Sequence, residues 1–78
     1  MRVVLYSRVG CHLCELARDV LLAERVTTSF DLVEVDIAGN ADLEREYGIR
    51  IPVVEIDGEE RFEYEVDVVE LASIVRGA

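Results

Sequence analysis

The stretch YSRVGCHLCELARDVL, residues 6–21, decides the fold. It joins an apolar run, Val3-Val4-Leu5-Tyr6, to a segment stepping by threes and ones through Leu13, Leu16, Ala17, Val20 and Leu21. The continuous run suits a strand buried on both faces, and the second spacing draws an apolar stripe along one helical face. Between them stands Cys11-His12-Leu13-Cys14, which holds both cysteines of the chain. Cys11 falls where an N-cap belongs, and residues three apart on a helix share a face, so the two thiols can meet on its first turn. A helix start presents unsatisfied N–H groups carrying about half a positive charge, which stabilises a thiolate there. Arg8 and a protonated His12 add to that field, and Glu15 opposes it.

Outward from this junction the helix fades near Arg25-Val26-Thr27, and Phe30 to Ile37 reads as a second strand with acidic residues interleaved. Gly39-Asn40 breaks that strand; Asn40 is a fitting N-cap for a short helix through Tyr47, which Gly48 closes as the residue just beyond its end. Ile51 to Ile56 reads as a third strand, with Pro52 at its entrance where a missing N–H is tolerated. Asp57-Gly58 predicts a tight hairpin into Glu60–Tyr64. Asp67-Val68-Val69-Glu70 is an Asp variant of the capping box, opening a last helix to Gly77 with Val68, Leu71, Ala72 and Val75 as its core face. The order is β-α-β-α-β-β-α in one α/β domain spanning residues 1–78, a mixed four-stranded sheet flanked by helices. Strands joined by a crossover helix are expected to run parallel, with the hairpin adding an antiparallel edge.

Composition bounds the function classes. Apolar residues make up 51% of the 78, enough for one compact core, while the net charge is −9 and every cation is Arg. Such acidity disfavours nucleic acid and anionic membrane and biases encounter toward basic partners. The four apolar residues after Arg2 fall short of a signal-peptide core, and no apolar run nears the roughly 20 residues needed to cross a bilayer. The expectation is a cytoplasmic protein, in a compartment that keeps thiols reduced.

In that compartment two cysteines point to catalysis or metal binding, because a loop this short stabilises little as a structural disulfide. Structural zinc takes four ligands, and beyond Cys11, Cys14 and His12 the chain has no further Cys or His. A copper-type chaperone module is the nearest metal alternative, but its element order differs and Val9-Gly10 precedes the first Cys. A redox centre, a metal-handling or iron–sulfur-carrying module, and an inactive adaptor remain as readings of the motif.

Tyr6-Ser7-Arg8-Val9-Gly10-Cys11-His12-Leu13-Cys14 resembles the glutaredoxin stretch Tyr-Ser-Lys-x-x-Cys-Pro-Tyr-Cys, and with Ile51-Pro52 it likens the whole chain to the glutaredoxin-like branch of the thioredoxin superfamily. The resemblance implies a thioredoxin-like fold and a thiol–disulfide oxidoreductase with Cys11 as nucleophile and Cys14 as resolving thiol. It implies a cis Ile51-Pro52 bond facing the cysteines, with the Ile51 backbone pairing to substrate and Arg8 and His12 beside it. It further implies substrates that are protein or small-molecule disulfides, no resident cofactor or metal, a monomer, and glutathione or a reductase as electron source. His12-Leu13 replaces the usual Pro-Tyr, and Arg50-Ile51-Pro52 replaces Thr-Val-Pro. Where the family's glutathione-binding Gly-Gly-x-Asp belongs, this chain has Glu63-Tyr64-Glu65-Val66-Asp67, whose two glutamates would repel glutathione's γ-glutamyl carboxylate.

Overall fold

A computed structural model describes residues 1–77. Seven elements follow one another: β1 (Arg2–Ser7), α1 (His12–Thr27), β2 (Asp31–Asp36), α2 (Ala41–Tyr47), β3 (Val53–Ile56), β4 (Glu59–Glu63) and α3 (Val68–Gly77). The strands lie side by side in the order β2-β1-β3-β4. β1 and β2 run parallel, with Val3 opposite Leu32 and Tyr6 opposite Val35, as the crossover through α1 requires. β3 runs antiparallel to β1, so the second helical connection departs from the parallel expectation. The cause is where the chain re-enters the sheet. Asp36 closes β2 opposite Ser7, and Val53 opens β3 opposite Tyr6, at that same end. The short α2 therefore never carries the chain to the far end.

Alternation along β1 sorts two cores. Val3 and Leu5, without exposed surface, pack on one face with Leu21 of α1, Val54 and Ile56 of β3, and Leu71 and Val75 of α3. Burying each such side chain is worth about 1.5–3 kcal/mol. Tyr6 belongs to the other face, with Ile37, Leu43, Tyr47, Ile51 and Val53. There the Tyr6 and Tyr47 rings stack with centroids 4.0 Å apart, and both hydroxyls donate to Glu55, at 3.2 and 3.1 Å. Burial, with the Tyr6 hydroxyl and Glu55 beside it, pushes the Tyr47 phenol well above its ordinary value and keeps it a neutral donor.

Local rules account for most element ends. Asn40 accepts the Leu43 N–H at 3.1 Å, and Asp67 accepts the Glu70 N–H at 2.8 Å. Asp57 and Gly58 take φ of 52° and 85°, the paired left-handed conformations of a type I′ hairpin. Gly48 differs from expectation: it caps α2 in the right-handed region. Its lack of a side chain matters through space, because a Cβ there would sit 2.3 Å from the Glu44 carbonyl oxygen. β3 starts at Val53, two residues later than expected, since Ile51-Pro52 forms a cis bend before it. Two apolar faces are also rotated from their sequence reading. On α1 the buried ridge is Cys14, Ala17, Leu21 and Glu24, leaving Leu13 and Leu16 exposed. On α3 Val68 is exposed at the entry to the helix, and Ile74 joins Leu71 and Val75 against the core.

Two carboxylates fasten α1. Glu24, buried near its C-terminal end, accepts from Arg76 of α3 at 2.7 and 3.0 Å and from the Thr28 hydroxyl at 2.9 Å. Glu34 of β2 accepts the Ser7 hydroxyl at 2.7 Å and both arms of the Arg18 guanidinium, tying α1 to the end of the sheet where the cysteines lie. That guanidinium, aided by Ser7 and opposed by partial burial, holds the Glu34 carboxyl below the usual carboxylate range.

Removing the Leu71 side chain with Leu71→Ala is expected to lower unfolding free energy by about 2–5 kcal/mol, read from urea denaturation of the oxidised protein. Glu34→Gln should lower the thermal midpoint at neutral pH. A depressed folded-state carboxyl stabilises above the unfolded value of about 4.3 and loses that contribution as pH falls through the folded value. The gap between wild type and Glu34→Gln should therefore shrink below about pH 4 in melting curves recorded against pH.

Candidate active site

The site grows out of the end of β1. After Ser7 the backbone turns through Gly10 at φ 86°, a conformation costly for a residue with a Cβ. The Cys11 N–H closes the turn on the Arg8 carbonyl at 3.2 Å. Cys11 itself is extended, with φ −86° and ψ 107°, and caps α1 as expected. Its sulfur accepts the Cys14 N–H at 3.2 Å, taking the place a serine or aspartate oxygen fills at an ordinary helix start. The Glu15 N–H reaches the Cys11 carbonyl at 3.1 Å, so the first helical bond is already made.

Cys11 and Cys14 form a disulfide with their Cα atoms 5.2 Å apart. The two sulfurs live in different surroundings. Cys11 is partly exposed, whereas Cys14 has no exposed surface and lies on the buried ridge of α1. Cys11 is therefore the sulfur that solvent reaches, next to the positive end of a 16-residue helix.

Ile51-Pro52 stands at the same end of the sheet, because Tyr6 pairs with Val53 and Ser7 is the last residue of β1. The bond is cis and Pro52 is buried. Its carbonyl accepts the Tyr64 N–H at 2.8 Å, linking the loop after β4 to the proline turn. Ile51 enters no backbone hydrogen bond among the described residues.

The charged candidates are spoken for by neighbours. Arg8 turns to α2, where it lies 3.5 Å from Glu44. His12 is well exposed on the first turn, its Nδ1 3.7 Å from Glu15. Arg50 is clamped by Glu60 at 2.7 Å and Glu63 at 3.2 Å, donates to the Glu46 carbonyl, and lies over the Tyr47 ring. Among the described residues no three His, Cys, Asp or Glu side chains are grouped so as to hold a metal ion, and no helix is long and apolar enough to cross a membrane.

Sequence reasoning missed two neighbours of the site. The Ser7–Glu34–Arg18 fastening joins residues far apart in the chain, and no spacing rule announces it. Tyr64 adopts φ 69° beside Pro52; its place in the chain was visible, but nothing in the sequence marks a tyrosine as left-handed.

Residues 2–76 match the family described as Glutaredoxin-like domain (DUF836). The uncharacterized protein Rv0508 of Mycobacterium tuberculosis (strain ATCC 25618 / H37Rv) is 35% identical over 71 residues, covering 85% of this chain and 73% of the relative. The X-ray structure of target protein XcR50 from X. campestris is similar at a TM-score of 0.80 and 30% identity, covering 97% of each chain. The E. coli glutaredoxin structure covers 100% of both chains at a TM-score of 0.67 and 22% identity, a likeness of fold. With its mixed four-stranded sheet, its helix-capping cysteine and its disulfide across Cys11–Cys14, the chain belongs to the glutaredoxin-like domain family.

Proposed function

We propose that this protein is a dithiol–disulfide oxidoreductase acting on protein or small-molecule disulfides. The observation that carries the reading is the asymmetry of the pair: Cys11, partly exposed, caps α1 with its sulfur on the Cys14 N–H, while Cys14 is fully buried one turn on. In the reduced protein that N–H and the helix field stabilise a Cys11 thiolate, the species that attacks disulfides. The thiolate takes one sulfur of the substrate. The substrate S–S bond breaks, its other sulfur departs as a thiolate and picks up a proton from water, and a mixed disulfide forms on Cys11. Cys14, deprotonated in turn, attacks the Cys11 sulfur and expels the second substrate thiol. Two electrons have passed to the substrate, and Cys11–Cys14 is left oxidised. A thiol reductant, glutathione or a reductase dithiol, restores the pair by the same exchange.

The surroundings support the roles. Pro52 and Ile51 border the site at the end of β1, with the Ile51 backbone open to pair with an extended substrate. Arg8 and His12 contribute positive charge near the entrance, moderated by Glu44 and Glu15. Glutathione, an anion, would meet Glu65 without a free glycine-lined approach, so this reading favours a reductant or substrate of lower negative charge.

Alkylation of the reduced protein followed against pH tests the proposal. Cys11 should react with a midpoint below the free-thiol value of about 8.5, and Cys11→Ser should abolish the fast phase. Cys14→Ser should trap the mixed disulfide, seen as a stoichiometric adduct by mass spectrometry. A Cys11 no more reactive than a free thiol, with no adduct in Cys14→Ser, would overturn it.

A further inference from the structure

Beside the cysteines lies a groove of about 240 Å³, walled by Leu13, Leu16 and Val20 of α1 on one side and by Tyr64, Glu65 and Val66 on the other. Leu13, Leu16 and Tyr64 are each close to half exposed, at 48%, 49% and 47%, whereas the Ala17 floor and Val66 are buried. Among the described residues no segment covers these three side chains. The far wall is held in an uncommon conformation. Tyr64 has φ 69°, the Glu65 N–H reaches back to the Glu63 carbonyl at 2.8 Å, and the Tyr64 N–H is fixed to Pro52. This is a γ-turn centred on a bulky aromatic, a strained geometry that points to a purpose at the site it borders.

The rim is acidic. Glu65 lines the groove. It is in no ion pair among the described residues, whereas the nearby arginines are engaged: Arg8 by Glu44, Arg18 by Glu34, Arg50 by Glu60 and Glu63. The chain as a whole carries −9. An anionic occupant is repelled and a cationic one drawn in.

We propose that this groove docks an apolar side chain of a cationic, extended polypeptide whose cysteine is presented to Cys11. The proposal rests on the redox reading for its purpose and extends it to the substrate class. Leu16 lies five positions beyond Cys11, about 7.5 Å of helical rise, a distance that two residues of extended chain span at about 3.3 Å each. The anchoring side chain is therefore two residues from the substrate cysteine, with arginine or lysine outside it facing Glu65.

Two experiments separate docking from chemistry. In the first, oxidised protein is titrated with the cysteine-free peptide Arg-Leu-Ser-Ser-Ser-Leu-Arg and followed by NMR. Shifts at Leu13, Leu16, Tyr64 and Val66 are expected, at least tenfold weaker when both leucines become serine or both arginines become glutamate, and lost in the double variant Leu16→Ser/Tyr64→Gly. Folding of that variant is checked by its remaining spectrum; if it does not fold, Tyr64→Gly alone, which removes the aromatic from a left-handed position, serves with an expected weakening of at least fivefold. Shifts at these residues that depend on protein concentration without peptide would show a second copy as the occupant and overturn the proposal, as would binding indifferent to leucine or to charge. In the second, the reduced protein is mixed with the disulfide-linked dimer of Arg-Leu-Ser-Cys-Ser-Leu-Arg, with its leucine-to-serine counterpart, and with uncharged hydroxyethyl disulfide. A leucine-over-serine rate ratio of at least ten in wild type, falling to within twofold in the variant, supports docking; an equal rate on both peptides overturns it. Failure to reduce hydroxyethyl disulfide sinks the redox reading alone, since the titration measures the groove without any thiol chemistry.

Discussion

Everything about this molecule's chemistry hangs on the four-residue passage, Arg8 to Cys11, from β1 into α1. Gly10 supplies a left-handed turn, the Cys11 N–H folds back on Arg8, and the Cys11 sulfur becomes the acceptor that starts the helix. A helix start must satisfy its first N–H groups from outside its own ladder. Using sulfur for that task places a thiol where the backbone already favours negative charge. In the proposed reaction the capping atom and the attacking atom are the same sulfur, so the geometry that begins the helix would also prepare the nucleophile.

Such a junction is useful only if α1 is held firmly against the sheet, and two carboxylates hold it, Glu24 buried and Glu34 partly exposed. Glu34 gathers Ser7 and Arg18 at the cysteine end; Glu24 gathers Arg76 and Thr28 at the other. Both are charge-assisted bonds that keep their carboxylates ionised, as the lowered proton affinity of each shows. Between them the apolar ridge of Ala17 and Leu21 packs on Leu5 and Leu71. Leu13 and Leu16 lie to one side of the buried ridge that begins at Cys14, which is why they meet solvent and the Tyr64 turn instead of core.

Charge gives the protein its second character. Six of its eight arginines pair with carboxylates among the described residues, four of them with Glu34, Glu44, Glu24 and the Glu60–Glu63 pair, so few cations stand free against a net charge of −9. Arg8 and Arg50 stand near the site as the sequence suggests, yet each already answers a carboxylate. Beside the cysteines lies a half-exposed apolar groove with Glu65 in its wall, the surface we propose to receive a basic, apolar polypeptide.

The chain's local chemistry announced a large part of this. Periodicity separated strands from helices, Asn40 and Asp67 marked helix starts, Asp57-Gly58 marked the hairpin, and Cys11 could be placed at a helix N-terminus, because each of these depends on neighbours within one turn. Resemblance added the cis Ile51-Pro52 bond. What tertiary structure alone decided involves residues distant in sequence. The antiparallel entry of β3 follows from where α2 returns the chain, the clamp on Arg50 from β4 lying beside the end of α2, and the exposure of Leu13, Leu16 and Val68 from which side of each helix the other elements cover. A stripe of apolar residues states that a helix has an apolar face; only the placement of the other elements decides which part of that face is covered and which is left for a partner.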